Sequence, residues 1–209
     1  MCSSDLEMII KSSLFGERIA EVPITLHPDG RKTRRSHLRT FRDGWRTLRF
    51  FLLSTPRWLF LVPGLLLLAL GALGYGVAMP GLRIGKLTFD AHTLLFASLA
   101  VIAGYQSLLF AVLARTFAAT EGILPRDARL ERFLSVFSIE RGLLAGIAGG
   151  LGGSLLLLAA VNQWRLHAWG RLDYADTMRL VVPGVTLASL GYETVLACFL
   201  LGLLQMKRR

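Results

Sequence analysis

The densest run of chemically useful side chains is Arg31-Lys32-Thr33-Arg34-Arg35-Ser36-His37, just after the turn signal His27-Pro28-Asp29-Gly30. A guanidinium is a planar fork of donors that fits phosphate oxygens. Arg31, Arg34, Arg35, Ser36 and His37 could therefore hold a diphosphate or a lipid monophosphate at a bilayer surface. Charge that only fixes membrane orientation would have the same composition, and both readings stand at this point. The second unusual residue is Glu193, an acid inside a long apolar run, whose counterpart in a similar run is the neutral Gln106. An intramembrane acid suggests either a proton-coupled path, with Tyr105, Gln106 and Tyr192 as partners, or a hydrogen bond that serves structure. No metal-binding pattern is visible. His92 and His167 lie at the ends of apolar runs without Cys or acidic ligands at metal spacing, Asp29 and Asp43 are isolated, and Cys2 and Cys198 sit at opposite ends of the chain.

These residues are carried by a chain with 53% apolar and 18% charged residues, too apolar for a water-facing surface. Four runs are long enough to cross a hydrocarbon layer about 30 Å thick as helices: 58–79, 91–114, 142–164 and 180–206. Pro63 and Pro183 fall near the starts of their runs, where a helix tolerates a missing N–H. Of the 24 Lys and Arg, 19 lie before the first run, between the second and third, or after the fourth, and five lie in the two remaining loops. Since basic residues are retained in the cytoplasm, both termini are expected there, with short outer loops near 80–90 and 165–179. The start Met1-Cys2-Ser3-Ser4-Asp5-Leu6-Glu7 does not read as a cleavable signal.

Two patterns concern helix packing. Gly142, Gly146 and Gly150 recur every four residues in the third run, which favours packing within the chain and is also compatible with a homo-oligomer contact. Gly104-Tyr105-Gln106-Ser107-Leu108-Leu109 matches Gly191-Tyr192-Glu193-Thr194-Val195-Leu196. This pattern leaves a duplicated hairpin and chance similarity both open.

The segment before the membrane divides in two. Residues 1–30 read as the end of an amphipathic helix stopped by Gly16 and a short edge strand over 19–26 interrupted by Pro23. One helix and one strand cannot enclose a core, so this stretch reads as the last part of a larger soluble α/β domain. In residues 31–57, Leu38, Phe41, Trp45, Leu48 and Leu52 interleave at helical spacing with Arg35, Arg39, Arg42, Arg46 and Arg49. Such a helix lies in a headgroup layer, with Arg39, Arg42, Trp45, Arg46 and Arg49 at the membrane surface. The net charge of +10 would also suit nucleic acid. The apolar stripe leads straight into the first span, however, so membrane lipid is the expected partner and nucleic acid is not. A second cytoplasmic interfacial helix is expected near 126–140. The fold class is therefore an all-α membrane protein with four transmembrane helices, preceded by an amphipathic interfacial helix and a helix-strand remnant of an α/β domain.

The runs Glu7-Met8-Ile9-Ile10-Lys11, Gly16-Glu17-Arg18-Ile19-Ala20-Glu21-Val22-Pro23-Ile24, Arg35-Ser36-His37-Leu38-Arg39 and Arg42-Asp43-Gly44-Trp45-Arg46-Thr47-Leu48-Arg49-Phe50 resemble the C-terminal half of bacterial family 2 glycosyltransferases of the polyprenyl-phosphate (dolichol-phosphate mannosyltransferase-like) kind. The resemblance extends through the four spans. It implies an enzyme of the bacterial inner membrane that moves a sugar from a nucleotide-sugar donor to a polyprenyl-phosphate acceptor. It also places Arg31, Arg34, Arg35 and Ser36 near the lipid phosphate or diphosphate, with His37 where many relatives have Lys. The nucleotide-sugar site and the Asp-rich motif for Mg2+ or Mn2+ would belong to a preceding domain. This chain would then hold no catalytic residue and no cofactor of its own, and it reads as a fragment inactive alone. Two other classes remain open: a four-helix proton-coupled transporter using Glu193, and a non-catalytic membrane scaffold.

Overall fold

The computed structural model describes residues 8–9, 11–13, 15–20, 22–25, 40–54, 57–85, 87–125, 132 and 138–206. Helix α1 is Thr40–Ser54. Helix α2 opens with a π-helical turn, Arg57–Leu61, and continues as an α-helix over Val62–Ala78. A two-residue-per-strand hairpin, β1 (Arg83–Ile84) with β2 (Leu87–Thr88), fills the loop that follows α2. Then come α3 (Ala91–Thr120), α4 (Ile139–Leu166) and α5 (Tyr174–Gln205). Four of these helices, α2 to α5, are long and apolar enough to cross a membrane.

All four predicted spans are present, three of them longer than the apolar runs. A run of apolar residues marks the part in hydrocarbon, whereas the backbone stays helical through the interface until a cap ends it. Ser138 caps α4 by accepting from the Arg141 N–H at 3.4 Å, and Asp173 caps α5 by accepting from the Asp176 N–H at 3.1 Å. Pro183, expected near a helix start, consequently lies inside α5.

Among the described residues the edge strand expected over 19–26 is not formed. Residues 17–20 and 22–25 have no regular structure, and Val22 and Ile24 are exposed. A strand needs a paired neighbour, and no other described segment offers one here. The preceding turn is as expected: residues 8–9 and 11–13 are helical, and Gly16, at φ 73°, ends the helix with its own N–H on the Ser13 carbonyl and the Glu17 N–H on the Ser12 carbonyl. The interfacial helix expected near 126–140 falls mostly outside the described residues, Arg132 within it being helical.

Packing follows two antiparallel hairpins, α2 with α3 and α4 with α5, joined along α3 and α5. Each crossing is made where a side chain is missing. A Cβ on Gly104 would stand 2.8 Å from the Gly64 carbonyl oxygen, and one on Gly191 would stand 2.6 Å from that of Gly146. Seven residues further along α2 and α4, Gly71 abuts Ala97 and Gly153 abuts Gly184. The two hairpins thus repeat one contact scheme, glycine by glycine, which favours duplication over chance for the matching six-residue pattern. Of the α4 glycines, Gly142, Gly146 and Gly153 are buried against α5. Large apolar side chains such as Leu70, Phe96, Leu155 and Phe199 point outward instead.

The same hydrogen-bond pattern that ends the helix at Gly16 ends α2 at Gly81, α3 at Gly122 and α4 at Ala168. At α4 an L-residue takes the left-handed place, with Ala168 at φ 50° and Trp169 at 61°. The turn is held by Trp164, whose ring meets Trp169 edge-on at 4.7 Å and whose Nε1–H donates to the Gly170 carbonyl at 3.1 Å. Left-handed backbone costs an L-residue about 1–2 kcal/mol. Ala168→Gly should therefore stabilise the α4–α5 hairpin by about 1 kcal/mol, read as a raised midpoint in detergent-driven unfolding.

Candidate functional site

At 100° per residue, Phe41, Trp45, Leu48 and Leu52 fall within one narrow stripe of α1, and Arg42, Arg46 and Arg49 form a second stripe beside it. Among the described residues nothing covers Phe41 and Trp45, which are 91% and 60% exposed. Arg42 and Arg49 are exposed as well. Adjacent stripes of these two kinds suit a boundary between acyl chains and phosphates. Of the residues singled out for the membrane surface, Arg42, Trp45 and Arg49 share this helix as expected. The side chain of Arg46 lies outside the described residues, as does Arg39 altogether. The cluster Arg31, Arg34, Arg35, Ser36 and His37 also lies outside them.

Glu193 and Gln106 are brought together. Both line a groove between α3 and α5 with Leu109, Phe110, Leu113, Leu196, Ala197 and Leu200. Glu193 is partly buried and its Oε2 is enclosed without a hydrogen-bond partner, whereas Gln106 is exposed. Tyr105, suggested as a partner of Glu193, instead bonds Thr194 at 2.6 Å. Thr194 spends its own proton on the Leu190 carbonyl at 2.6 Å, so the Tyr105 hydroxyl donates. Tyr192, the other suggested partner, is exposed.

Two further polar groups escaped the sequence reading. Toward the end of the bundle that carries the α2–α3 and α4–α5 loops, Thr186 donates to the Val182 carbonyl at 2.7 Å, leaving its oxygen to accept from Tyr75 and from Ser98, each at 2.7 Å. One threonine hydroxyl thereby ties α2, α3 and α5. Single hydroxyls in apolar helices are common, and only the helix register shows which of them meet. At the same end of the bundle Arg179 lies 3.3 Å from Asp176 and 3.8 Å from Asp90, and its guanidinium packs against Gly81 past the end of α2. Asp90 and Asp176 precede Gly104 and Gly191 of the matching pattern by 14 and 15 residues, but nothing local in the sequence marks the cation between them. Among the described residues no group of three His, Cys, Asp or Glu side chains is placed to hold a metal ion.

Among the described residues the arrangement therefore has an amphipathic basic helix, a bundle packed on small residues and a groove that holds two polar side chains. Comparison with known proteins gives two matches. The profile of the glycosyltransferase family 2 C-terminal transmembrane region matches residues 112–205, the end of α3 through α5. The chain is 31% identical over 203 residues to the low-salt glycan biosynthesis hexosyltransferase Agl6 of Haloferax volcanii, covering 94% of this chain and 46% of that protein. The chain thus spans about half the length of the curated relative it matches. No solved structure matches. The resemblance to the C-terminal membrane half of family 2 glycosyltransferases, first carried by the segment before the spans, is borne out by both.

Proposed function

We propose that this chain, a multi-pass membrane protein carrying the C-terminal transmembrane region of family 2 glycosyltransferases, is the lipid-phosphate-facing part of a transferase that moves a sugar from a nucleotide-sugar donor to a polyprenyl-phosphate or similar lipid acceptor. The observation that carries the reading is the continuity of the likeness to a hexosyltransferase, which runs over 94% of the chain and so includes the basic segment and α1 as well as the spans. An anchor alone would need the spans. A basic segment followed by an amphipathic helix with an uncovered apolar stripe is what brings a cytoplasmic reaction to a lipid headgroup.

In this reading α1 lies in the inner headgroup layer and sets the height of the segment before it. Arg31, Arg34, Arg35, Ser36 and His37 hold the acceptor phosphate, offsetting its charge as an oxygen of that phosphate attacks the anomeric carbon and the nucleotide diphosphate leaves. The donor site, with Mg2+ or Mn2+ to neutralise the diphosphate, belongs to a domain outside these 209 residues. Both termini face the cytoplasm of a bacterial inner membrane, as the distribution of basic residues suggests.

The test uses the whole protein, with its preceding domain, in vesicles containing polyprenyl phosphate. A panel of radiolabelled nucleotide sugars is supplied with Mg2+ or Mn2+. One donor should give a labelled, chloroform-soluble product that needs the metal, and residues 1–209 by themselves should give none. No lipid-linked sugar from any donor, or full transfer by residues 1–209 alone, would overturn the reading.

A further inference from the structure

Glu193 and Gln106 occupy matching places in the two hairpins, each two residues beyond the glycine of the closest crossing, Gly191 and Gly104. Both belong to one groove whose lining recurs at helical spacing, 106, 109, 110 and 113 on α3 and 193, 196, 197 and 200 on α5. Because α3 and α5 run in the same direction, the groove has a polar end near the middle of the spans and an apolar end toward the side of the termini. Among the described residues neither polar side chain has a hydrogen-bond partner. Water would relieve this at a soluble surface, but hydrocarbon cannot, and an unpaired amide or carboxyl there is costly. Partners must come from beyond the described residues.

We propose that the α3–α5 groove is the contact between two copies of this chain, in which Glu193 of one copy hydrogen-bonds Gln106 of the other and the reciprocal bond forms across a two-fold axis along the membrane normal. Copies inserted in one membrane share an orientation, so a closed pair must be related by an axis of that direction, and side chains can meet only others at their own depth. Gln106 and Glu193 satisfy that condition on neighbouring parallel helices. The two-fold operation sets each carboxyl opposite an amide, twice. An amide offers two N–H donors and a carboxyl offers acceptor oxygens, so the set is complementary to itself. Polar side chains used in this way hold helices together in lipid. Phe110, Leu196 and Leu200, exposed along the groove, supply the apolar packing around the polar centre.

Two other occupants fit less well. A lipid tail would fill the apolar end but carries no donor or acceptor for the polar end. In the glycine row of α4, the more obvious dimer surface in the sequence, Gly142 and Gly146 already pack against α5, which leaves Gly150 alone of the three facing open space. The inference does not depend on the transferase reading.

The experiment mixes donor-labelled and acceptor-labelled residues 1–209 in lipid vesicles and follows energy transfer as protein is diluted with lipid. The native chain should associate, and the paired substitution Glu193→Leu with Gln106→Leu should weaken association at least tenfold while helix content by circular dichroism is kept. The exchange Gln106→Glu with Glu193→Gln restores an amide opposite each carboxyl and should associate like the native chain, a rescue that guards against misfolding of the leucine variant. A native chain that is monomeric at every dilution would overturn the proposal. So would leucine variants that associate as tightly, or a monomer that carries a lipid lost on the leucine substitutions.

Discussion

Replacing Gly191 by valine is expected to separate α4 from α5 while leaving both helices inserted, at a large cost in stability. A Cβ at 191 would stand 2.3 Å from the Gly150 amide nitrogen and 2.6 Å from the Gly146 carbonyl oxygen. Both are backbone atoms, so no rotamer change can relieve the overlap and the helices must move apart. Overpacking a well-fitted interior costs about 1–3 kcal/mol, sometimes more. Here the displacement also loosens the Gly153 contact with Gly184 and the Gly142 contact with Cys198 along the same pair. A loss of about 3 kcal/mol, read from detergent-driven unfolding, is the expected value. The control is Gly150→Ala beside the same face of α4, where the added Cβ itself meets nothing within 4 Å and the change should be within about 0.5 kcal/mol. Equal effects at the two positions would show that helix propensity, and not close approach, sets the cost.

The second large effect concerns catalysis by the whole protein. Removing Arg34 and Arg35 together, as Arg34→Ala with Arg35→Ala, should lower kcat/KM for the lipid acceptor about 100-fold. Hydrogen bonds to charged groups are worth roughly 1.5–3 kcal/mol each, and each 1.4 kcal/mol is about tenfold in rate. The loss should fall on the acceptor and leave the KM for the nucleotide sugar nearly unchanged. Lysine at both positions should recover part of the rate, since charge returns without the planar fork. Full activity in the alanine variant would remove these arginines from the acceptor site.

The spans were legible because hydrocarbon imposes a length and a composition on any helix that crosses it, and nothing else in this chain meets both. The amphipathic α1 was legible for a related reason: Phe41, Trp45 and Leu48 recur at helical spacing whatever they pack against. The edge strand over 19–26 was not, because alternating apolar residues describe a strand only when another strand is there to pair with it. The place of Glu193 and Gln106 in one groove could be suspected from their matching sequence positions, but their convergence depends on α3 and α5 packing side by side. The Tyr75–Thr186–Ser98 cluster and the Arg179 bridge had no local signal. Each joins residues about 90 or more positions apart, or turns on which helix end lies over which loop.

The bundle keeps glycine and alanine at its centre and turns leucine and phenylalanine outward, which reverses the usual map of where a sequence is free to vary. In a water-soluble domain the surface drifts and the large buried residues resist change. Here the outward leucines can exchange for isoleucine, valine or phenylalanine with little loss, because fluid lipid tails adapt to any apolar outline. The smallest residues carry the shape. Evolution of such a membrane half should therefore leave a record of scattered glycines and alanines at seven-residue steps, with the bulky positions between them changing freely.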